Sequence, residues 1–489
     1  MAVVLPPGEA EASPRAGLAG RVLTFLAVLV AAGLAAFSGL AAGNGSKLAV
    51  VLPLAVAAGL ILATLGLIRF SIYVMALLVL RASIDLAKLS GIQAAEGGGT
   101  AVTGRGLDPS SLLVFMFLLA SALWLAAQHY QQGSLPGSGL RGALLVFVAA
   151  AALSVPASAN LRASLLELLR ILAAVMMFVV LEQLIVNRTV LKQVLLAAYL
   201  SLVFPLAYTL FGFVAGGPAS EIKGAFIRIT GPFAQSNTFA RYLMVMIVFG
   251  VALFPHLDRA WHLAMGAALG LSSVFLLLTY TRTAIIGTVL GVLVVGLVQS
   301  KRLLLGLLVL AVCAMVFVPQ FSSRFTSLAE VGGGATASRD SLSWRVGYWT
   351  EVLPLAKDNP VTGIGLSSTQ LSTDEAKQPH NDFIRAYVET GLLGLGAYLA
   401  MLLALLATGR RAVRASAPGS FDRGVAAGFL GCAVAFVAVS FAANVISNVV
   451  LLWYLFAFAA AAAFVARQQP TPDRDDVVVE TGGSPHGDQ

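Results

Sequence analysis

Charged residues are scarce in this chain of 489 residues, since Asp, Glu, Lys and Arg together supply only 11% of it. A soluble domain carries about 25% charged residues, so this chain lacks the charge to cover its surface in water. Hydrophobic residues make up 58% of the chain, and the mean hydropathy is +0.88. A helix that crosses a bilayer needs about 20 mostly apolar residues. The composition therefore predicts an integral membrane protein with many spans.

Cysteine is almost absent: Cys313 and Cys432 are the only two, and both lie inside apolar runs. Their positions exclude a disulfide framework and a zinc site. No cluster of His, Cys and carboxylate residues indicates another metal, and no Gly-rich Walker loop indicates nucleotide hydrolysis. The formal charge of +8 does not indicate a nucleic-acid partner, because Lys and Arg are distributed between the apolar runs as in membrane loops. We therefore expect neither a metal nor another cofactor.

Apolar runs fill most of the chain. Fourteen of them can be delimited, at residues 21–42, 48–66, 70–86, 111–128, 140–155, 165–186, 190–215, 239–254, 260–280, 283–298, 303–318, 383–407, 424–443 and 445–466. Residues 48–86 also fit a re-entrant feature, so twelve to fourteen spans are expected. The first run is too long for the core of a signal peptide and is interpreted as a membrane anchor. The predicted fold class is an all-α, polytopic transmembrane helical bundle.

Basic residues set the expected orientation, because Lys and Arg concentrate in cytoplasmic loops. One short connection near the carboxyl terminus holds four of them, namely Arg410, Arg411, Arg414 and Arg423. The opposite short loop, residues 444–448, carries no charge. Both termini are therefore expected in the cytoplasm, with the multi-pass chain in the plasma (inner) membrane.

This orientation divides the chain into five parts. They are a cytoplasmic segment at 1–20, a transmembrane bundle at 21–318, one large external loop at 319–382, the last three transmembrane helices at 383–466 and a disordered cytoplasmic tail at 467–489. Within the large loop, residues 343–355 have helical spacing, with one side formed by Trp344, Tyr348, Val352 and Leu355. Trp and Tyr favour the membrane interface, so we expect this helix to lie flat on the bilayer surface.

His380 is the only one of the five histidines that is expected on the external side. It precedes the apolar run 383–407 and is followed by Asn381 and Asp382. Histidine is the usual base near neutral pH, which makes His380 a candidate catalytic residue. The alternative is an ordinary interface residue beside a helix cap that Asn381 or Asp382 forms.

Three arginines are also expected on the external side: Arg228, Arg282 and Arg345. Arg282 lies between two apolar runs with almost no loop to hold it in water. A guanidinium near membrane depth is costly and marks a functional cavity. Arginine can also bind the oxygens of a diphosphate with two parallel hydrogen bonds. The alternative is that these side chains extend to lipid headgroups, and it competes most strongly at Arg345.

Four blocks of residues occur in an order that is typical of a known family. In chain order they are Gly231-Pro232-Phe233 with Asn237 and Ala240, the turn Thr281-Arg282, Arg345 to Trp349 with Asn359-Pro360 and Gly363-Ile364-Gly365, and His380-Asn381 followed after nine residues by Gly391-Leu392-Leu393-Gly394. Together they resemble the O-antigen ligase and polymerase superfamily. The resemblance covers residues 228–398 and the helices on either side. It departs in the helix count, since such proteins are drawn with fewer spans than the fourteen delimited above.

The resemblance implies a membrane glycosyltransferase of the cell envelope. Such an enzyme moves a glycan from an undecaprenyl-diphosphate donor onto an acceptor hydroxyl during the biosynthesis of a surface polysaccharide such as lipopolysaccharide. Its partners would be that donor, a glycan, lipid or protein that offers the hydroxyl, and the bilayer. No metal would be needed. The active site would face the external side.

The resemblance also implies roles for individual residues. His380 would take the proton of the attacking hydroxyl or orient it, and Arg228 and Arg282 would bind the diphosphate. Further contacts with substrate would come from Arg345, Asn381, Asn237 and Tyr348. Gly391 and Gly394 would shape the junction between the large loop and the next helix.

Two kinds of alternative stay open. Within the superfamily, a ligase, a polymerase of repeat units and a protein O-glycosyltransferase share these motifs. A transporter or a lipid-glycan flippase would also be polytopic and carry intramembrane arginines. Transporters tend to show internal repeats and helices broken at mid-membrane, whereas a large one-sided loop that ends in a histidine favours the enzyme.

Overall fold

The computed structural model describes residues 59–84, 86, 109–135, 137–215, 220–223, 226–302, 341–373 and 377–468. The helices of this part are, in chain order, α1 Gly59–Ile68, α2 Phe70–Ile84, α3 Pro109–Gln132, α4 Gly139–Ser154, α5 Leu161–Leu184, α6 Arg188–Leu200, α7 Val203–Ala215, α8 Ser236–Leu253, α9 Arg259–Leu278, α10 Arg282–Gln299, α11 Ser341–Val352, α12 Asp382–Ala415, α13 Phe421–Ser440 and α14 Val449–Arg467. Ten described helical segments are long and apolar enough to cross a membrane. The predicted polytopic helical bundle is therefore confirmed.

Several predicted parts lie outside the described residues. They are the segment 1–20, the runs 21–42 and 303–318, most of the run 48–66, much of the loop 319–382, nearly all of the tail 467–489, and Cys313. The two described helices at the start of the chain, α1 and α2, are shorter than a full span. The total of twelve to fourteen spans thus stays a prediction.

Two helix boundaries differ from the predicted ones. The apolar run 190–215 divides into α6 and α7 at Ser201. Pro205 lies in the first turn of α7, where its fixed φ suits a helix start but its missing N–H ends the preceding hydrogen-bond series. The arginine-rich connection is also shorter than expected, because α12 continues to Ala415 and includes Arg410, Arg411 and Arg414. Arginine favours helices and stabilises their carboxyl-terminal turns.

One short hairpin departs from the all-helical expectation. Strand β1, Ser220–Lys223, pairs antiparallel with strand β2, Phe226–Ile229, and the backbone of Glu221 lies opposite that of Arg228. The hairpin occupies the expected loop between α7 and α8. It fixes the backbone that carries Arg228, and this position becomes important at the functional site.

Helix α14 forms the centre of the bundle and is buried along nearly its whole length. It packs against α5, α12, α13 and α8. Close approach elsewhere relies on small residues: a Cβ added at Gly431 of α13 would meet the carbonyl oxygen of Gly291 on α10 at 2.6 Å. Small residues allow helix backbones to pack closely in membranes, where the hydrophobic effect does not drive helix association.

Basic and acidic side chains pair at the end of the bundle opposite His380. Arg188 contacts Asp422 at 2.5 Å, and Arg141 lies 3.7 Å from Glu182. Arg467, at the end of α14, donates to the carbonyl oxygen of Glu182 at 3.2 Å. We name this the basic end, and the other the His380 end. The grouping agrees with the loops that were expected together in the cytoplasm, while the side of the membrane stays a prediction.

Candidate active site

Helix α12 is broken at Gly391, where φ is +67° and the backbone leaves the helical conformation. Residues 360–365 of the preceding segment insert into this break. The carbonyl oxygens of Val388 and Glu389 accept hydrogen bonds from backbone N–H groups of the inserted segment at 3.0 Å each. The first two N–H groups after Gly391 donate to carbonyl oxygens of the same segment at 2.9 and 3.2 Å. A Cβ at Gly391 would collide with the backbone of Val361, so only glycine fits there.

The other predicted motif glycine lies one turn further along α12. A Cβ at Gly394 would overlap the side chain of Thr390, whose hydroxyl donates to the carbonyl oxygen of Ala386 at 2.5 Å. Glycine at position 391 thus lets the large loop and α12 share one set of backbone hydrogen bonds, while glycine at position 394 leaves room for the Thr390 side chain. The first turns of α12, which carry the residues after His380, are held by that shared set.

His380 itself has a left-handed backbone, with φ at +54°. Residues other than glycine rarely adopt this conformation, which costs roughly 1–2 kcal/mol. Two contacts hold the segment: Trp349 donates from Nε1 to the carbonyl oxygen of Pro379 at 2.7 Å, and Asn381 caps α12. The Asn381 side-chain oxygen accepts from the backbone N–H groups two and three residues ahead, at 2.9 and 3.2 Å. Asn381 therefore forms the helix cap, and its contact with substrate stays a prediction.

The helix of the large loop, α11, packs on the protein rather than on lipid through its apolar face. Tyr348 and Val352 are buried against Val388 of α12. The Tyr348 hydroxyl donates to the carbonyl oxygen of Lys377 at 2.5 Å and lies 2.7 Å from the Thr373 hydroxyl. The common face was predicted, and the turns of α12 before its break cover it, while the position of this helix at the bilayer surface stays a prediction. Tyr348 holds the segment that leads to His380, and its substrate contact stays a prediction.

Trp344 links this helix to the imidazole. Its ring is stacked on Tyr348 with centroids 5.2 Å apart and meets His380 edge to face at 6.1 Å. The ammonium of Lys377 lies 4.7 Å from the centroid of the Trp344 ring. Aromatic and cation contacts of this kind restrict the ring planes. The orientation of His380 is therefore partly set by α11.

The loop of residues 441–448, which joins α13 to α14, is anchored to the start of α12. The buried carboxylate of Asp382 accepts hydrogen bonds from the backbone N–H groups of Val445 and Ile446 at 3.0 and 3.1 Å. Arg385, one turn later, donates to the hydroxyl of Ser447. In the sequence, part of this loop was used only as evidence for the orientation, because it carries no charge and lies opposite the arginine-rich connection. In the structure it lies against the residues that follow His380.

Asn444, within that loop, contacts both the candidate catalytic residue and a cation. Its side-chain nitrogen Nδ2 lies 3.3 Å from Nδ1 of His380. Its backbone carbonyl oxygen accepts a hydrogen bond from Nη1 of Arg241 at 3.0 Å. The uncharged loop therefore connects the imidazole to the arginines.

Arg228 supports the turn between α9 and α10. Its guanidinium donates to the carbonyl oxygen of Thr279 at 2.7 Å, to the hydroxyl of Thr281 at 2.9 Å and to the side-chain oxygen of Asn237 at 3.0 Å. Arg228 is buried, and the turn that it holds leads directly into Arg282. Arg228 and Asn237 thus bind each other and the turn. Their predicted contacts with substrate stay predictions.

Two further arginines contact the loop of residues 441–448, and a third, Arg282, lies near one of them. Arg241 and Arg345 each donate from Nη1 to a backbone carbonyl oxygen of it, that of Asn444 and that of Ala442, at 3.0 Å. The Nε atom of each is buried without a hydrogen-bond partner among the described residues. Burial, and after it the charge of Arg282, lowers the pKa of Arg345. Arg345 is therefore half-buried, close enough to Arg282 for their charges to interact, and one of its N–H groups is used by the loop.

Positive charge exceeds negative charge at this place. Arg241 interacts electrostatically with Arg345 and with the carboxylate of Asp382, while Arg345 interacts with Arg282. The carboxylate oxygens of Asp382 are already bonded to backbone N–H groups. A group of guanidinium ions with one carboxylate among them favours the binding of a ligand with several negative charges.

A buried ion network stabilises the first turns of α12 from behind. Arg385 contacts Glu389 on its own helix at 3.0 Å and Glu167 of α5 at 2.9 Å. Arg170 adds a second cation to Glu167 at 3.1 Å, and the backbone N–H of Ser367 donates to Glu389 at 2.9 Å. Removing one member of such a buried network costs roughly 3–5 kcal/mol, because its partner is left uncompensated.

The predicted site residues separate into four positions. His380 and Arg345 contact the loop of residues 441–448, Asn381 follows His380 as the cap of α12, and Arg282 lies near Arg345. Arg228 and Asn237 lie behind the turn that carries Arg282, and Tyr348 lies in the contact between α11 and the segment before His380. Gly391 and Gly394 lie at the break in α12.

Sequence analysis missed four residues of this site. They are Arg241, Asp382 as an anchor, Arg385 and Asn444. Arg241 had an available signal, because it is an arginine inside the apolar run 239–254 and intramembrane arginines are functional candidates. Asn444 had none, since a lone asparagine in an uncharged loop is common at helix ends.

No metal centre is evident in the part of the chain that the structure describes. No group of three or more His, Cys, Asp or Glu side chains in this part could hold a metal ion. The arginines that gather here supply positive charge through fixed guanidinium groups.

Comparison with known families gives one match. A family model described as O-Antigen ligase matches residues 267–399. The matched region begins in α9 and ends in α12, and it contains Arg282, Arg345 and His380. No curated protein sequence matches the chain significantly.

Proposed function

We propose that this chain, whose residues 267–399 match the O-antigen ligase family model, is a membrane glycosyltransferase that moves a glycan from an undecaprenyl-diphosphate donor to an acceptor hydroxyl. The observation that carries the proposal is the meeting of Arg241, Arg345 and His380 on one loop, residues 441–448. It combines a site for a polyanion with a group that can handle a hydroxyl. A transporter of the same shape needs the first feature but has no use for the second.

The arginines would bind the diphosphate of the donor. Arg282 and Arg345 interact electrostatically, and Arg241 lies beside Arg345. As the glycosidic bond breaks, charge grows on the departing diphosphate, and preorganised cations stabilise that charge at no cost of reorganisation. Arg228 would act through the turn that it supports, by keeping Arg282 in place.

His380 would act on the acceptor. The acceptor oxygen forms a bond to the anomeric carbon while the bond from that carbon to the diphosphate oxygen breaks, and the electron pair goes to the diphosphate. The hydroxyl proton must leave as the new bond forms. His380 either takes this proton or orients the hydroxyl. Direct attack of this kind inverts the configuration at the anomeric carbon.

The His380 end would face the external side of the plasma membrane, with both termini in the cytoplasm. Support comes from the basic end, where Arg141, Arg188 and the arginines of the last turns of α12 lie together. Short loops rich in Lys and Arg stay in the cytoplasm. A donor carried by a lipid could reach an external site within the membrane, which a nucleotide sugar in the cytoplasm could not.

The test is a transfer assay with purified protein in nanodiscs. A lipid-diphosphate glycan is the donor, and the acceptors offered separately are a lipid-linked core oligosaccharide, a second copy of the donor glycan and a hydroxyl-bearing peptide. We expect transfer to one of these acceptors, and the acceptor that works separates ligase, polymerase and protein glycosylation. Each reaction is repeated with chelator, and activity should persist.

A flippase gives a different result in the same system. Purified protein would transfer no glycan to any acceptor, while labelled donor would cross the bilayer of a vesicle. Loss of transfer with chelator would instead show a metal requirement. The two outcomes contradict different parts of the proposal, the first the reaction and the second its metal independence.

A further inference from the structure

Asn444 contacts both one of the arginines, Arg241, and the imidazole of His380. Its backbone carbonyl oxygen is fixed by Arg241 at 3.0 Å, and its amide nitrogen Nδ2 lies 3.3 Å from Nδ1 of His380. The two backbone N–H groups that follow Asn444 are both held by the carboxylate of Asp382. The backbone that follows the Asn444 side chain is therefore held in place by Arg241 and Asp382.

We propose that Asn444 is a positioning residue that donates a hydrogen bond to Nδ1 of His380 and so keeps the ring proton on Nε2. A neutral imidazole carries one proton, and the nitrogen that accepts a hydrogen bond cannot hold it. This inference rests on the function proposed above and assigns His380 the second of its two possible roles. His380 orients the acceptor hydroxyl and does not remove its proton.

The direction of the hydrogen bond follows from which amide atom faces the ring. The nitrogen Nδ2 of Asn444 faces Nδ1 of His380, while the buried oxygen Oδ1 has no hydrogen-bond partner among the described residues. An amide nitrogen only donates hydrogen bonds, so Nδ1 of the ring is the acceptor in this contact.

The consequence for the reaction concerns the proton of the hydroxyl. With a proton on Nε2, the ring can donate a hydrogen bond to the acceptor oxygen and direct the opposite lone pair at the anomeric carbon. The new oxygen–carbon bond then forms as the bond to the diphosphate breaks. The electron pair of the broken bond goes to the diphosphate, whose charge the arginines stabilise, and the hydroxyl proton passes to solvent water on the side of the acceptor once the new bond has formed. Atoms and electrons balance without a protein base.

The experiment measures the tautomer directly. The chain has five histidines, so labelling histidine rings with 15N gives a small set of signals, and the one lost in His380→Ala is that of His380. The nitrogen shifts of a neutral ring distinguish the protonated nitrogen from the unprotonated one. In the unaltered protein we expect the proton on Nε2. In Asn444→Ala we expect a mixture of both tautomers, and in Asn444→Asp a proton on Nδ1, because a carboxylate only accepts.

Asn448 provides a matched control in the same loop. Its side-chain oxygen caps α14 by accepting from the backbone N–H of Leu451 at 3.2 Å, and no hydrogen bond joins it to His380 among the described contacts. Asn448→Ala should lower thermal stability and leave the tautomer of His380 unchanged. Asn444→Ala should lower kcat about a hundredfold, which is the scale of a reacting group misplaced by about 1 Å, with little change in the KM for the donor.

Two results would overturn the positioning role. One is a proton on Nδ1 in the unaltered protein, and the other is a His380 spectrum that Asn444→Ala leaves unchanged. The tautomer is read without substrate, so it does not depend on the reaction. If the spectra behave as expected while no glycan is transferred to any acceptor, the contact stands and the proposed glycosyl transfer is what fails.

Discussion

The backbone N–H of Val445 donates a hydrogen bond to the buried carboxylate of Asp382 at 3.0 Å, and this contact joins the helix after His380 to the loop that carries Asn444. The two residues are far apart in sequence, on opposite sides of helix α13. The carboxylate also accepts from Ile446 at 3.1 Å. The Asp382 side chain therefore helps to set the distance between the imidazole and the loop, together with the contact between Arg385 and Ser447.

Asp382→Asn should disturb this arrangement without changing the volume of the side chain. The amide places its NH2 group against a backbone N–H whichever way it turns, so at least one hydrogen bond is lost. We expect the free energy of unfolding to fall by about 1–3 kcal/mol and transfer to fall at least tenfold. Thermal unfolding in detergent and the nanodisc assay measure the two effects.

Asp422 offers the control for that substitution. It also lies in the first turn of a spanning helix, but at the basic end, where its partner Arg188 is largely exposed. Exposed ion pairs contribute little, about 0–1 kcal/mol. Asp422→Asn should therefore leave transfer unchanged, and an equal loss of activity in both variants would contradict the special place of Asp382.

The break in α12 gives a prediction about stability. Gly391→Ala should reduce the amount of folded protein strongly, because the backbone is left-handed there and a Cβ would collide with Val361. Gly396 lies on the same helix with nothing within 4 Å of an added Cβ. Gly396→Ala should be neutral or stabilise by about 0.5–1 kcal/mol. Size-exclusion chromatography after membrane extraction compares the two, and similar yields would contradict the insertion of residues 360–365.

The arginines are tested by exchanging the guanidinium for an ammonium. Arg282→Lys keeps the charge but loses the two-pronged hydrogen bonding that suits a diphosphate. We expect kcat/KM for the donor to fall roughly ten- to hundredfold, which corresponds to about 1.4–2.7 kcal/mol of lost binding in the transition state. Arg345→Lys should have a smaller effect, since one of its N–H groups is used by the carbonyl oxygen of Ala442. Steady-state kinetics with varied donor measure both.

Arg302 serves as the control for these two exchanges. It is exposed and lies beyond the basic end of α10, the helix that begins with Arg282. Arg302→Lys should leave kcat/KM unchanged. Full activity in Arg282→Lys at normal protein levels would argue against its contact with the diphosphate.

Sequence and structure agree best on the positions of the membrane spans, because the apolar bilayer selects apolar runs of sufficient length. Insertion of a run such as 449–467 into a membrane depends on its own composition, so hydropathy was enough to place the described spans. The common side of Trp344, Tyr348 and Val352 was equally predictable from helical spacing. What that side contacts was not, because an apolar face can meet lipid or protein and only the fold of α12 decides between them.

The candidate site was predictable in part for the same reason. His380 and Arg282 have ionisable side chains next to apolar runs, where such side chains are rare and costly, so they can be recognised in the sequence. The hydrogen bond between Asn444 and His380 joins residues 64 positions apart, and no local pattern encodes it. Arg228 was interpreted as a ligand for substrate, although its bonds to Thr279 and Thr281 depend on a hairpin that the sequence did not indicate.

The orientation of the bundle has its own test. A reporter fused after Arg414 should be cytoplasmic, because this part of α12 belongs to the basic end. A reporter inserted near Gly333, which lies outside the described residues, should be external. Cysteine labelling with an impermeant reagent gives the same information in intact cells. Reporters on the same side would remove the external placement of His380.

The role of His380 is tested by two substitutions with different consequences. His380→Ala should lower transfer by about 10²–10⁴-fold, the usual contribution of a positioned group that handles a proton. Folded protein and donor binding should be unchanged, because the diphosphate is bound by the arginines. His129 is exposed near the basic end of α3, so His129→Ala is the matched control and should be fully active.

His380→Gln separates orientation from proton removal. The glutamine amide can donate a hydrogen bond from nearly the position of Nε2, but it cannot accept a proton at neutral pH. If His380 orients the hydroxyl, His380→Gln should retain at least tenfold more activity than His380→Ala. If His380 removes the proton, the two variants should be equally inactive, since neither supplies a base. Normal turnover by His380→Ala would exclude any catalytic role of His380. The arginines near the loop of residues 441–448 would then have to account for the whole rate enhancement of the site.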